Sequence, residues 1–341
     1  MIYVSVVIVN WNTQDILSLC LDSLYKNTKI PFDVFIIDNN PRAHGTRACT
    51  LLQFLFKKWE PVEICERKKE FLQINTDNIL EDIIQKYKNV HIIKNCKNLG
   101  FAHAVNQGIL SSKGEYIFTL NPDVIVTEGY IDMLFEKIKA DKAIGAISGK
   151  LLNLSNKRRL DSAGQIIYKN RFARDRGYQE IDANQYQGGY VFGTCAAATL
   201  YRREMLQDVK INDEYFDGDF FAYLEDVDLA WRAQIRGWKF YFLDNAIAYH
   251  SRAISSQIFL RKIKRKFLGW RNRFFMIIKN DSLLSVVVNM PFLVFGPVKS
   301  IRMFRKRRLI QKSRVVDHQE VAKWFLPYHP LKTPEQKCIP Q

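Results

Sequence analysis

The sequence predicts an α/β fold built on a mostly parallel central sheet flanked by helices, and three observations carry that prediction. Over the first half of the chain, short apolar runs alternate with stretches of helical spacing, the rhythm of consecutive βαβ units. The apolar runs stop abruptly at Asn- and Asp-rich turns, so polar groups collect where strands finish. With 47% hydrophobic residues in a chain of 341, there is enough apolar material for a large core, in two domains or one domain with an extension.

Residues 3–9 read as the first strand: the apolar run lacks a basic leader and ends at Asn10-Trp11-Asn12, which excludes a signal peptide. Ile16, Leu19, Leu21 and Leu24 then recur at helical spacing, and a strand over 34–37 ends at Asp38-Asn39-Asn40-Pro41. From 42 to 88 the rhythm breaks. This charged stretch carries helical patterns at 51–59 and 79–87 and is too long for an ordinary connection, so it is an inserted helical excursion. The sheet resumes with a strand over 90–94, a helix over 102–110 and a strand over 116–120 that gives way to Asn121-Pro122-Asp123. A helix over 130–139 and a strand over 143–148 complete the regular part. Between 154 and 187 the pieces become short and polar, including a strand at 165–168, which points to a mixed second half. A small-residue strand region over 189–201, a helix over 225–236 and a strand over 239–249 close a body spanning residues 1–254.

Residues 255–341 differ in kind. The formal charge of +16 resides almost wholly here: between 257 and 314 there are 16 Lys and Arg against the single acid Asp281, while the rest of the chain is close to balanced. Aromatic and aliphatic residues interleave with the cations over 259–278, the make-up of a basic amphipathic helix. The apolar run 283–298 is shorter than a membrane span and is interrupted by Asn289, Pro291, Gly296 and Pro297. One reading is a segment lying in the interface of an anionic membrane; the other is a set of helices that closes the core and exposes a charged face. A nucleic-acid-binding protein is the less favoured class, because no basic face spreads over the body. The six cysteines, at 20, 49, 65, 96, 195 and 338, form no Cys-x-x-Cys pair and fit reduced thiols of a cytosolic protein.

Four polar points stand at strand ends: Val9 with Asn10-Trp11-Asn12, Asp38, Asn98-Leu99-Gly100-Phe101, and Asn121-Pro122-Asp123. Each alone is an ordinary cap or turn. If the strands are parallel, all four converge on one crevice at the carboxyl edge of the sheet, where α/β folds bind ligands. A fifth cluster, Glu225-Asp226-Val227-Asp228, opens a helix. Acids suit a first helical turn for dipole reasons alone, but Phe216, Phe220, Phe221 and Tyr223 give these an apolar setting that raises a carboxylate's pKa and suits it to act as a base. Asp228, on another face of that helix, is read as structural.

Together with Asn106 and Gly108, the segment 193–203, and Trp231-Arg232, these motifs resemble the inverting glycosyltransferases of family 2, which have a GT-A (nucleotide-diphospho-sugar transferase) fold, and most closely their rhamnosyltransferase-like branch. The resemblance covers about residues 3–280. It implies that Val9, Asn10, Asn12 and Asp38 hold the nucleotide, with Asn98, Gly100 and Asn106 near it and its phosphates. It places Asn121-Pro122-Asp123 at the Asp-x-Asp position, with Asp123 binding Mg2+ or Mn2+, His250 a further metal or phosphate contact, and Asp226 the general base beside Glu225. Asn121 replaces the first acid of that motif, which leaves one carboxylate for the metal. The implied activity moves a sugar, rhamnose or another deoxyhexose among the options, from a dTDP- or UDP-sugar to a hydroxyl of a lipid-linked or cell-surface polysaccharide acceptor, by an enzyme held at the inner face of the cell membrane. The alternatives are a nucleotidyltransferase of the same fold and a non-catalytic basic binding protein.

Overall fold

Four parallel strands set the frame, and their side chains explain why. In β1 (Val4–Asn10), Val4, Val6 and Ile8 face one layer of helices and Val7 the other, so both faces of the strand are buried. β1 lies between β2 (Phe32–Asp38) and β4 (Tyr116–Leu120), and β3 (Val90–Lys94) extends the sheet beyond β2, all in parallel. The computed structural model describes residues 3–11, 13–40, 74–252, 259–289 and 297–328. Asn12, the expected helix over 51–59 and most of the 42–88 excursion lie outside the described residues; its end is the helix α2 (Ile74–Lys86).

Beyond β4 the sheet becomes mixed. β11 (Ala198–Arg202) runs antiparallel between β4 and β6 (Ile144–Asn153), and β12 (Lys239–His250) pairs parallel with β6. Three short strands complete this ten-stranded sheet: β5 (Val124–Val126), β7 (Leu160–Ser162) and β10 (Gly189–Val191). A separate small sheet joins β8 (Gln165–Tyr168), β9 (Ala173–Asp175) and β13 (Phe325–Leu326). The parallel expectation therefore holds for the βαβ half. The second half reaches the sheet through a long polar excursion, and an antiparallel strand needs no helical crossover.

On one face, α1 (Gln14–Asn27), α2 and α4 (Tyr130–Ala140) cover the sheet; on the other lie α3 (Phe101–Ser111), α5 (Arg203–Val209) and α6 (Glu225–Arg236). The second layer also takes in α7 (Phe259–Asn280), α8 (Leu283–Asn289) and α9 (Pro297–Lys312), while α10 (His318–Ala322) packs on α6. Phe274, Phe275, Ile277 and Ile278 of α7 are buried in the same core as Phe220 and Trp231.

Several cations of the basic tail are inside the protein. Lys279 lies between Asp217 and Asp228, at 2.5 and 2.8 Å, and Lys306 between Asp217 and Asp219, at 2.5 and 2.8 Å. Arg232, four residues along α6, shares Asp228 with Lys279. Asp228 is thus structural, as read from the sequence. The outer faces of α8 and α9 remain in solvent, with Leu283, Leu284, Val287, Val288 and Ile301 exposed alongside Arg305, Arg308 and Lys312. No described helix is long and apolar enough to cross a membrane. Cys20 and Cys195 are free thiols, but Cys96 is disulfide-bonded, which corrects the reading of six reduced cysteines.

Candidate active site

The parallel register brings the strand ends level: Asn10 lies opposite Asp38, and Asp38 opposite Lys94. The backbone continues the ladder for one more residue, Asn39 N–H bonding Asn10 O and Asn95 N–H bonding Asp38 O. Asp38 is almost wholly buried, and its carboxylate accepts from the amides of Asn10 (3.3 Å) and Asn40 (2.7 Å). Val9, one residue earlier on β1, packs its side chain into the core and contributes through backbone position.

Asn39, legible in the sequence only as a turn residue beside Asp38, is the hub of the next loop. Its Oδ1 accepts from Leu99 N–H and Asn95 Nδ2, and its Nδ2 donates to Asn98 Oδ1 and Gly100 O. Asn98 Oδ1 also accepts from Gly100 N–H, so the Asn98–Gly100 turn is fixed before any ligand arrives. Gly100 has φ +85°, and a Cβ there would lie 2.5 Å from Phe221 O; both facts require glycine. Asn106, expected near the nucleotide, is buried one and a half turns into α3, where its amide oxygen accepts from Tyr215 and Phe216 N–H and its Nδ2 donates to Phe216 O, so the bonds it makes clamp a distant loop.

After β4, Asn121 turns the chain, and Asp123 leads directly into β5, which pairs antiparallel with β12 so that Val124 faces His250. His250 Nε2 is 3.3 Å from Asp123 Oδ1, and its Nδ1 is 2.7 Å from Asp161 Oδ2. Burial lowers the basicity of this imidazole, but the two carboxylates outweigh it and push its pKa up to about 9. A divalent cation beside Asp123 would have to displace the proton from Nε2 and take the neutral imidazole as its ligand. A histidine that binds metal through one nitrogen is usually oriented by a carboxylate on the other, and Asp161, absent from the sequence-based candidates, supplies that carboxylate. Among the described residues no three His, Cys, Asp or Glu side chains surround one point, so Asp123 and His250 would hold an ion that takes its remaining ligands from phosphate oxygens and water.

The base candidate sits on the first turn of α6. Asp226 Oδ2 accepts from Gln165 Nε2 (2.7 Å) and Ala196 N–H (3.2 Å), and Oδ1 from Val227 N–H. Burial, then the charge of Asp175, push its pKa up to about 6 against those bonds. Glu225 is more deeply buried, one of its oxygens has no partner, and burial followed by the charge of Asp226 raises it further, to about 8. Gln165 and Asp175 were not legible as site residues, because each reaches Asp226 only through the small sheet of β8, β9 and β13.

The two halves of the site are joined. Arg252 forms an ion pair with Asp161 (2.8 Å) and hydrogen-bonds Asp175 (2.6 Å), so charged contacts run unbroken from Asp123 through His250, Asp161 and Arg252 to Asp175, the residue whose charge acts on Asp226.

Residues 73–210 match the sequence model of the family described as Glycosyl transferase family 2. Among curated relatives, poly-beta-1,6-N-acetyl-D-glucosamine synthase of Staphylococcus aureus (strain COL) is 29% identical over 177 residues, covering 50% of this chain and 40% of the relative. Its Staphylococcus epidermidis counterpart is 28% identical over 193 residues, covering 55% and 42%. The chain spans about two fifths of the length of these relatives. Among solved structures, GalNAc-T7 with UDP, GalNAc and Mn2+ superposes with a TM-score of 0.62 at 12% identity, over 95% of this chain and 56% of the other, a likeness of fold.

Proposed function

Since this chain carries a glycosyl transferase family 2 domain on a GT-A fold, we propose that it transfers a sugar from a nucleoside-diphosphate donor to an acceptor hydroxyl with inversion at the anomeric carbon. The observation that supports this reading is the charged chain from Asp123 to Asp175, which links the candidate leaving-group residues to the neighbour of a carboxylate of raised pKa.

Each residue then has a task. Asp38 accepts from the pyrimidine base, and the prearranged Asn98–Gly100 turn lies beside the nucleotide. Asp123 and His250 hold a Mg2+ or Mn2+ ion, which when bound neutralises charge developing on the diphosphate. Asp161 keeps the His250 ring in register. Asp226 takes the proton of the acceptor hydroxyl as that oxygen attacks, and its bonds to Gln165 and Ala196 fix the direction of its oxygens. Glu225, kept protonated near neutral pH, leaves Asp226 as the ionised member of the pair.

The resemblance to the rhamnosyltransferase-like branch supports a deoxyhexose donor and a lipid-linked or polysaccharide acceptor, whereas the relatives' name, poly-beta-1,6-N-acetyl-D-glucosamine synthase, supports transfer of N-acetylglucosamine to a polysaccharide. The exposed apolar residues of α8 and the exposed cations of α9, both helices packed on α7, support docking on an anionic membrane, at its cytoplasmic face. Screening dTDP-, UDP- and GDP-sugars for product tests the reaction class. Release of nucleoside diphosphate is expected; release of pyrophosphate from a parallel incubation with nucleoside triphosphates and sugar 1-phosphates would identify a nucleotidyltransferase instead, and no release with any donor would remove the assignment.

A further inference from the structure

The loop that leads into α6 is held in a conformation its residues do not favour. Phe221, Tyr223 and Leu224 all have positive φ, at 66°, 73° and 65°, although none is glycine. At Phe221 (φ 66°, ψ −62°) the Ala222 N–H bonds Phe220 O at 2.8 Å, which makes a γ-turn of the rare, strained hand. Leu224, left-handed as well, is the residue from which α6 starts, two positions before Asp226. Such conformations persist only where surrounding structure over-determines them.

What over-determines this one comes from α7. Asn272, fully buried, donates from its single Nδ2 to Phe220 O (3.0 Å), Ala222 O (2.9 Å) and Tyr223 O (2.7 Å). Its Oδ1 in turn accepts from Arg271 Nε (3.0 Å) and Nη2 (2.8 Å), and that guanidinium also bonds Asp219 O and Phe220 O. Carbonyls at 219, 220, 222 and 223 therefore converge on one amide and one guanidinium. On its other side the turn touches the donor loop, where Phe221 O accepts from Ala102 N–H (3.3 Å) and presses on Gly100. The strained turn is thus a strut between the Asn98–Gly100 loop and the helix that carries Asp226.

We infer that Asn272 is a positioning residue for the transfer reaction, holding the 220–224 turn, and through it the carboxylate of Asp226, at the angle the acceptor requires. This rests on the proposed role of Asp226. Only a side-chain amide supplies both N–H groups for the carbonyls and an oxygen for Arg271. An alanine leaves the strained turn without its clamp, and an aspartate sets an anion against three carbonyl oxygens. Displacement of a reacting group by about 1 Å lowers rates by about 100-fold.

The test compares Asn272→Ala and Asn272→Asp with Ile277→Ala, a buried α7 position that does not bond the turn. Both Asn272 variants are expected to lose roughly 10- to 100-fold in kcat, with donor KM within about threefold, while Ile277→Ala keeps its kcat at a matched loss in Tm. Amide exchange read by mass spectrometry is expected to quicken over 220–226 in the Asn272 variants and to stay unchanged over β1 and β4. Unaltered exchange over 220–226, or an equal kcat loss in Ile277→Ala, overturns the inference. The exchange measurement needs no turnover, so it tests the clamp on the turn separately from the glycosyltransferase reading, and an inactive wild type would overturn that reading and with it the role of Asn272 in transfer. If Asn272→Asp fails to fold, the alanine variant decides.

Discussion

Replacing Asp226 by Asn separates proton transfer from binding, and its effect follows from the geometry. Asparagine keeps an oxygen for Ala196 N–H and Gln165 but cannot accept a proton. General-base catalysis contributes about 10²–10⁴-fold, so kcat should fall by that factor, roughly 3–5 kcal/mol in the barrier, while donor affinity, set by Asp38 and Asp123, stays within about twofold. The wild type supplies the matching pH signature. With Asp226 at about 6, the ionised fraction at pH 5 is about one in eleven, so kcat/KM should be about a tenth of its plateau and level off above pH 7. Stability moves the opposite way. A carboxyl whose folded pKa is raised is most stabilising below its unfolded pKa near 4, and that contribution is lost as pH rises through about 6. Removing the charge should therefore leave the variant at pH 7.5 at least as stable as the parent, by at most about 3 kcal/mol before solvent screening. The assays are nucleoside diphosphate release against pH and thermal melting at pH 5 and 7.5. A variant with parental kcat, or a wild-type acid limb below pH 4.5, would refute the assignment of the base.

Other consequences follow from the same structure. Asp123→Ala and His250→Ala should each abolish the increment that Mn2+ adds to nucleoside diphosphate binding in calorimetry; an increment that survives both would place the ion elsewhere. Lys279→Met leaves Asp228 and Asp217 short of a buried counter-charge, an effect of about 3–5 kcal/mol, so Tm should drop by roughly 10 °C, and a drop under 2 °C would mean that Lys306 and Arg232 neutralise both acids unaided. Leu284→Ser with Val288→Ser, both exposed in α8, should weaken flotation on phosphatidylglycerol vesicles without changing Tm, and undiminished flotation would show that this face is not the membrane contact.

The strand ends were legible because their signal is local: a continuous apolar run in β1 and β4, buried on both faces, and a sharp change to Asn and Asp are visible within ten residues. Asp226 and Asp228, two positions apart, could be assigned different roles from helical geometry alone. The loop-clamping bonds of Asn106 could not be read from the sequence, because its partners, Tyr215 and Phe216, lie more than a hundred positions away. Asp161, Gln165 and Asn272 escaped notice for the same reason. The basic tail shows the limit most clearly. A lysine that pairs with a buried acid and one that faces solvent look alike in sequence, and the residues that decide, Asp217 and Asp228, sit 50 to 90 positions upstream of Lys279 and Lys306.

That separation bears on how the chain is made. Synthesis delivers Asp217 and Asp228 well before the lysines that neutralise them, and Tyr223 well before the amide that fixes its carbonyl. The βαβ half can complete its parallel strands as it emerges, since those contacts are already in hand, and domains do fold from the N-terminal side first. The helix bearing Asp226 has to wait. Until α7 and α9 have been synthesised, the loop before α6 lacks its amide clamp and Asp217 and Asp228 lack their lysines. Shortening the tail would thus remove counter-ions and core from the base helix rather than a detachable anchor.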